Sequence, residues 1–342
     1  MYRSIKLLLS SLLLLVVGCA GVETVQPFSV SGKAWPPAPE PARIRFVMEF
    51  AASEDLGIKP SFWGRFVDIA TGSESGGMVR PMAVATSPNG KVIFVADPDA
   101  QCVHRFDLQR SRYDCLIEES KVPLSSPVGL AVAADGRLFV ADSARDLVLV
   151  AAPNAKALQP IVLTPPPDRP TGLAFNSAGE LFVASTGSHS IRRYDADGAL
   201  IREYGGRGSE PGQMNFPTYL WLTTSNELLV TDTMNFRIQR FDTDDGLLGV
   251  FGKAGDGTGN LARPKGVAVD RHGHIYVVDG GHHAMQIFDR DGQLLLAVGE
   301  QGQGEGEFWL PSGVFATTED LIFVADAYNS RVQVFRYEVN GS

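Results

Sequence analysis

The chain has 342 residues, with 36 glycines, 21 prolines and 44% hydrophobic side chains. That is long for one ordinary compact domain and rich in helix breakers, so a repetitive or barrel-like β fold is expected and a helical one is excluded. The formal charge is −9, and without the first eighteen residues, which carry Arg3 and Lys6, 28 basic side chains face 39 acidic ones, a charge of −11; such a surface repels phosphate backbones and excludes nucleic acid as a partner.

The N-terminus has the parts of an export signal. Arg3 and Lys6 precede the apolar run 7–17, which is too short to cross a bilayer, and Val16-Val17-Gly18-Cys19 closes it. Gly18 is small enough for a peptidase pocket, and Cys19 offers a thiol for lipidation. The segment resembles a bacterial lipoprotein signal, with Val16 where leucine is usual; an ordinary secretory signal with an incidental cysteine is the alternative. The resemblance implies residues 1–18 as a signal peptide and a membrane anchor on Cys19 carrying thioether-linked lipid and palmitate. It further implies residence in the cell envelope. Ala20, where aspartate would resemble an inner-membrane retention signal, favours the outer membrane. Residues 19–42 hold Pro27, Pro36, Pro37, Pro39 and Pro41 with little apolar periodicity, and read as a semi-rigid tether of roughly 3 Å per residue when extended. No later window is apolar for long enough to span a membrane, so the mature part is expected to be water-soluble.

The folded part is expected to occupy 43–340. Its first segment, RIRFVMEF over 43–50, alternates like a strand. An insertion follows over 51–80. Within it, apolar residues at 62, 66, 69 and 70, with Ser61 as N-cap, predict a short amphipathic helix that packs its aromatics on the rest of the domain.

From residue 81 the sequence repeats. Pro81, Pro127, Pro170, Pro217, Pro264 and Pro311 open six units at intervals of 46, 43, 47, 47 and 47 residues. The clearest unit runs Pro264-Lys-Gly-Val-Ala-Val-Asp, then His274-Ile-Tyr-Val-Val-Asp, then Met285-Gln-Ile-Phe-Asp, then Leu294-Leu-Leu-Ala-Val-Gly. Four short alternating segments separated by turn residues make a four-stranded antiparallel meander, and a period near 45 makes it a propeller blade. The stretches Asp326-Ala-Tyr-Asn-Ser-Arg-Val-Gln-Val-Phe and Asp232-Thr-Met-Asn-Phe-Arg-Ile-Gln-Arg-Phe resemble the NHL repeat. The fold class is therefore all-β: a six-bladed β-propeller. The sixth unit stops after its third strand, and segment 43–50 is the expected supplier of the fourth, pairing beside 332–336 and closing the ring.

Alternating strands sort the loops onto two faces. Tight hairpins such as Asn89-Gly90, Asp135-Gly136 and Asp291-Gly292 share one face; the second-to-third-strand loops and the Gly-rich connectors share the other, which is the expected binding face. The connectors at 205–208, 252–260 and 299–306 join strands and open no helix, so they are turns and not phosphate cradles. Asp97, Asp142, Asp232, Asp279 and Asp326, with Ser185 in the third unit, end each second strand and are expected to accept backbone N–H groups of the following turn. His272 and His274 flank one hairpin while His282 and His283 lie beyond a five-residue strand of roughly 16 Å, so the two pairs cannot share a metal. Tyr219 and Trp221 break the repeat, standing where other units have mostly glycine and alanine; they either plug the central channel or line a pocket. Cys102 and Cys115 fall on adjacent strands of the first unit and are candidates for a disulfide.

Peptidyl-hydroxyglycine amidating lyase and the streptogramin lyases resemble this fold and use histidine with a bound metal. In the amidating lyase, ligand histidines follow the opening prolines, where this chain has Met82, Val128, Thr171, Thr218, Lys265 and Ser312. No catalytic residues and no metal ligands are assigned, and no cofactor is expected. The leading expectation is a non-catalytic scaffold, anchored in the envelope, that binds a protein or extended polymer. Its candidate contact residues are Arg145, His189, Asn235, Phe236, His282, His283, Tyr328 and Asn329, with Tyr219 and Trp221 in the channel. A metal-assisted lyase or hydrolase, with Zn or Ca, is the alternative.

Overall fold

A computed structural model describes residues 32–58 and 77–339. The signal segment, Cys19 and the helix expected over 61–70 lie outside those residues. Six antiparallel sheets follow one another along the chain, at 83–116, 127–160, 170–205, 217–251, 264–298 and 314–337, and form the blades of a propeller. Each blade meanders outward from the axis, so its first strand is innermost.

The ring closes as the sequence implies. The strand Ile44–Phe50 pairs antiparallel with Arg331–Tyr337, placing Ile44 opposite Tyr337 and Phe50 opposite Val332. Arg45 clasps Glu338 at 2.6 Å, and Arg331 reaches Glu49 at 2.5 Å, so ion pairs flank both ends of the seam. One feature differs from expectation. Ala34–Trp35, read as tether, forms a fifth strand outside Ile44–Phe50. Trp35 packs edge-on against Phe335 with ring centroids 6.0 Å apart, and burying that indole outweighs the freedom of a Pro-rich segment.

Burial follows blade architecture. Second strands such as Leu138–Asp142 and Ile275–Asp279 are buried throughout because both faces meet a neighbouring blade. The apolar core is divided into six clusters, one at each blade–blade interface. Stability therefore comes from face-to-face packing of sheets, with no single central core.

At the axis the inner strands crowd. A Cβ on Gly266 would stand 2.6 Å from the backbone nitrogen of Val314, and one on Gly313 would stand 2.7 Å from the Met82 carbonyl. Only glycine lets neighbouring backbones approach that closely.

In blade 1, Cys102 and Cys115 are joined by a disulfide across Cys102–Asp107 and Arg112–Leu116, with Cα atoms 5.7 Å apart. It closes a short loop, for which chain-entropy arguments give about 3 kcal/mol. A Cys102→Ser, Cys115→Ser double variant should lose roughly 2–3 kcal/mol of unfolding free energy in urea titrations, while its far-ultraviolet spectrum stays that of the wild type. An unchanged midpoint would show that the bridge adds nothing to the folded blade.

Candidate functional site: the channel and its connector rim

The connector face is built by a repeated clamp. Asp97, Asp142, Asp232, Asp279 and Asp326 are fully buried and accept N–H groups from the connector that precedes each blade. Examples are Ser125 to Asp142 at 2.8 Å, Asn215 to Asp232 at 2.6 Å and Trp309 to Asp326 at 2.8 Å. Ser185 does the same for Asp168 at 2.8 Å. The turn that follows contributes as expected at Asp97 and Asp279, but the connector contact is the feature the blades share. The carboxylates are thus spent on backbone and do not form a metal ring.

The NHL-like stretches extend the clamp. Arg237 donates to Asp232 at 2.8 Å and to the carbonyls of Ser209, Glu210 and Gln213, while Gln239 donates to the Gln213 carbonyl at 2.6 Å. Arg331 and Gln333 repeat the arrangement with Asp326 and the connector carbonyls of Gly304 and Glu307. Each such connector also tucks in one apolar residue, Met214, Leu261 or Phe308, all fully buried. Gly299, at φ 109°, leaves room for the Phe308 ring, which a Cβ would meet at 2.5 Å. These anchors recur every 47 residues, a signal present in the sequence that the motif alone did not expose.

Several candidate contact residues serve this scaffold. Asn235 donates to Asp232 and to the Gly208 carbonyl, and Asn329 donates to Asp326 and to the Gly302 carbonyl. Phe236 is half-buried at φ 54° and packs into the interface of blades 4 and 5. Arg145 is tied to Glu118 at 2.6 Å. His189 is buried and accepts the Phe216 N–H at 3.2 Å, and His283 accepts that of Leu310 at 3.1 Å. His282 lies 3.2 Å from the buried Asp279, His274 is 2.8 Å from Asp270, and His272 is 3.1 Å from Asp320. Among the described residues no three His, Cys, Asp or Glu side chains gather as metal ligands. Tyr328 alone of the rim candidates is strongly exposed, at 50%, and its ring lies 5.9 Å from that of Trp309, which is 40% exposed.

Tyr219 and Trp221 sit apart from that rim. Tyr219 crosses the channel from blade 4, and its hydroxyl donates to the Met82 carbonyl and lies 3.0 Å from Ser312 Oγ. Burial pushes its phenol up to about 12, so it is a neutral donor at physiological pH. Trp221 meets Phe315 of blade 6 edge to face, with centroids 5.4 Å apart. Tyr219 thereby splits the channel. A cavity of about 350 Å³, lined by Trp221, Phe315, Leu130 and Ala174, opens among the hairpins at Ser87 and Thr318. A smaller one of about 130 Å³ opens on the connector face beside Arg80, Arg263, Lys265 and Tyr328. The larger half of the channel is therefore on the face opposite to the one expected to bind, because the connectors fold down onto their clamps while the short hairpins leave the channel mouth open.

Two buried carboxylates link the fold to pH. Burial pushes Asp97 up, but hydrogen bonds from His104 and from the N–H groups of Ala100, Val79 and Arg80 outweigh it and hold Asp97 below the ordinary 3.8. Asp270 is likewise lowered, burial being overcome by His274 and Tyr276. Both are depressed on folding, so their stabilisation is complete above the unfolded value and is lost as pH falls through the folded values. Unfolding free energy should thus hold steady from about pH 7 to pH 5 and drop below about pH 4. Asn at both positions should flatten that drop in urea titrations, and an undiminished acid slope would refute the assignment.

Removing the bridge tests the channel. Tyr219→Phe should cost about 1–2 kcal/mol, the worth of a buried hydroxyl's bonds, and Tyr219→Ala about 3–5 kcal/mol as the two cavities merge. Denaturant titration measures both; a Phe variant as stable as wild type would show that the hydroxyl spans nothing.

Comparisons with known proteins agree with the ring. The teneurin NHL domain matches over residues 111–312, and the NHL repeat over 308–335. No curated protein matches the sequence. Among solved structures, a streptogramin B lyase superposes with a TM-score of 0.57 at 16% identity, covering 78% of this chain and 96% of its own. An auxiliary nutrient binding protein from Bacteroides thetaiotaomicron gives 0.62 at 15% identity, covering 78% and 71%. Hydrazine synthase from Kuenenia stuttgartiensis gives 0.56 at 16%, covering 77% and 97%. At these identities the superpositions speak for the fold alone. The family match, spanning more than half the chain, and the six clamped blades together place this protein in the NHL-repeat β-propeller family.

Proposed function

We propose that the protein is a non-catalytic binding module of the cell envelope, tethered through lipid on Cys19 and meeting a protein or polymer partner with its connector rim. The observation that carries the rim assignment is the Trp309–Tyr328 pair. These are the two strongly exposed aromatics among the described residues, and they lie side by side, Trp309 on the connector and Tyr328 on the turn after Asp326, both held by the Asp326 and Arg331 clamp. Rigid, adjacent, exposed aromatics offer contact area at little entropic cost, which is how binding hot spots are built. The nutrient-binding protein of similar fold supports a binding role by analogy of architecture. A lyase reading would need a set of free histidines; His189 and His283 accept backbone N–H groups, His104 meets Tyr113 and Asp97, and His272 and His274 face carboxylates, which leaves His282, beside Asp279, as the one described histidine whose ring nitrogens make no hydrogen bond.

Crosslinking of the full lipoprotein in intact cells, followed by mass spectrometry, tests the reading. A Trp309→Ala, Tyr328→Ala variant should reduce recovery of the specific partner about tenfold or more, with its melting temperature near that of the wild type. Undiminished capture by a folded variant would remove the rim from the interface. Lipid on Cys19 is checked by metabolic labelling with a fatty-acid analogue, which Cys19→Ser should abolish.

A further inference from the structure

The connector-side mouth of the channel carries a charge arrangement that the fold does not use. Its cavity of about 130 Å³ is lined by Arg80, Arg263 and Lys265, with Met82, Ser312 and Tyr328 among the other residues, and by no carboxylate. This is unusual on a chain whose net charge is −9. Elsewhere on this protein the more deeply set arginines are paired: Arg105 with Asp114, Arg193 with Glu180, Arg331 with Asp326.

Among the described residues neither the Lys265 ammonium nor the Arg263 guanidinium has a hydrogen-bond or ion-pair partner. Arg80 gives one terminal nitrogen to Asp99 at 2.6 Å, but its Nε is buried without a partner. Burial, and then the neighbouring charge of Arg263, lower the Lys265 pKa, which is the expected sign for a cation held without a counter-charge. Such a group costs stability unless an anion neutralises it.

Position in the repeat makes the same point. The residues that follow the opening prolines are Met82, Val128, Thr171, Thr218, Lys265 and Ser312, and Lys265 is the charged one. From this place Thr171 bonds the Thr218 carbonyl of the next blade and the Thr186 hydroxyl, and Thr218 bonds the Thr233 hydroxyl. Lys265 instead projects a charge into the cavity that Tyr219 and Ser312 close from below.

We propose that this mouth is an oxyanion site, in which Lys265, Arg263 and Arg80 hold one carboxylate or phosphate group. The rest of the ligand passes over Tyr328. The cavity takes the anionic group and not a large body, so the ligand is either a free small organic acid or phosphate, or the anionic end of a partner chain. The site rests on the binding reading only in that second case.

The test uses purified full-length lipoprotein in neutral detergent and titrates inorganic phosphate, and separately benzoate, against chloride at constant ionic strength by calorimetry. Saturable one-site binding of either anion is expected. Lys265→Met and Arg263→Gln should each weaken it about tenfold or more, the share of one charge-assisted hydrogen bond. Lys265→Met should melt no lower than the wild type in anion-free buffer, because it removes an unpaired, half-buried charge. Arg263 is exposed, so its variant reports on binding even if the lysine variant folds poorly. Lys253→Met, a change on the blade 4 to blade 5 connector, should leave the affinity as it is. Absence of anion-specific heat in the wild type, or affinity untouched by both cavity variants, overturns the proposal. Partner crosslinking is read separately. Crosslinks that phosphate competes away assign the anionic group to the partner chain, and crosslinks that persist beside measured anion binding assign it to a free small molecule. Loss of the rim interface with anion binding intact would sink the partner reading alone.

Discussion

Everything in this propeller depends on a seam that joins the two ends of the chain. Blade 6 supplies three strands from the C-terminus, and without Ile44–Phe50 the strand Arg331–Tyr337 would be an open edge facing water. An open ring would also leave Val47 and Phe50 unpacked against blade 1, since both belong to the cluster between blades 6 and 1. Closure is thus a sheet-edge effect and a packing effect at once. It also brings two distant stretches into register, which makes the ring a high-contact-order structure whose last step waits for both termini.

Once the ring is closed, its radius decides what the channel can do. Six inner strands converge closely enough that Gly266 and Gly313 have backbone atoms within van der Waals reach where a side chain would start. At the equivalent place in blade 4 stands Tyr219, which fits because its ring runs along the free axis to the opposite blades and finds the Met82 carbonyl and Ser312 there. One substitution of the repeat pattern therefore converts a through-channel into two unlike cavities. The hairpin side is apolar, with Trp221 and Phe315 facing each other, and the connector side is cationic.

The blade pattern and the closing strand were legible because they are periodic: alternation, opening prolines and turn glycines recur, and recurrence can be counted. The role of the second-strand aspartates was legible in kind but only partly in target, since the connector N–H groups they accept lie 16 to 18 residues upstream. Asn235 and Asn329 looked like contact residues because they are polar and sit in loops; their Nδ2 groups donate to the Asp232 and Asp326 carboxylates and to the Gly208 and Gly302 carbonyls, partners that the loop sequence by itself does not name. Trp309, Arg80 and Arg263 went unmarked because they precede the repeat's landmarks and converge only when blades 1, 5 and 6 meet. Ala34–Trp35 was hidden by its prolines, whose composition resembles a linker even where one tryptophan pins the chain down.

The path of the N-terminal segment has a consequence for orientation. Ala34 lies opposite Arg45 and Lys33 accepts the Phe46 N–H, so the chain, traced backward, runs from the hairpin side of blade 6 toward its connectors. Gly32 then lies beside the Glu305 carboxylate, on the same face as Trp309 and Tyr328. The thirteen residues from Cys19 to Gly32 span about 40 Å if extended. With lipid on Cys19, the connector rim would lie on the side from which the tether leaves, and the apolar hairpin-side cavity would face away. From Cys19 onward the charge is −11, which repels an anionic lipid surface and works against the rim settling onto it. The mouth lined by Arg80, Arg263 and Lys265 is a local exception to that repulsion, and its depth between blades 5, 6 and 1 favours an anionic group on a narrow stem over a flat surface of headgroups.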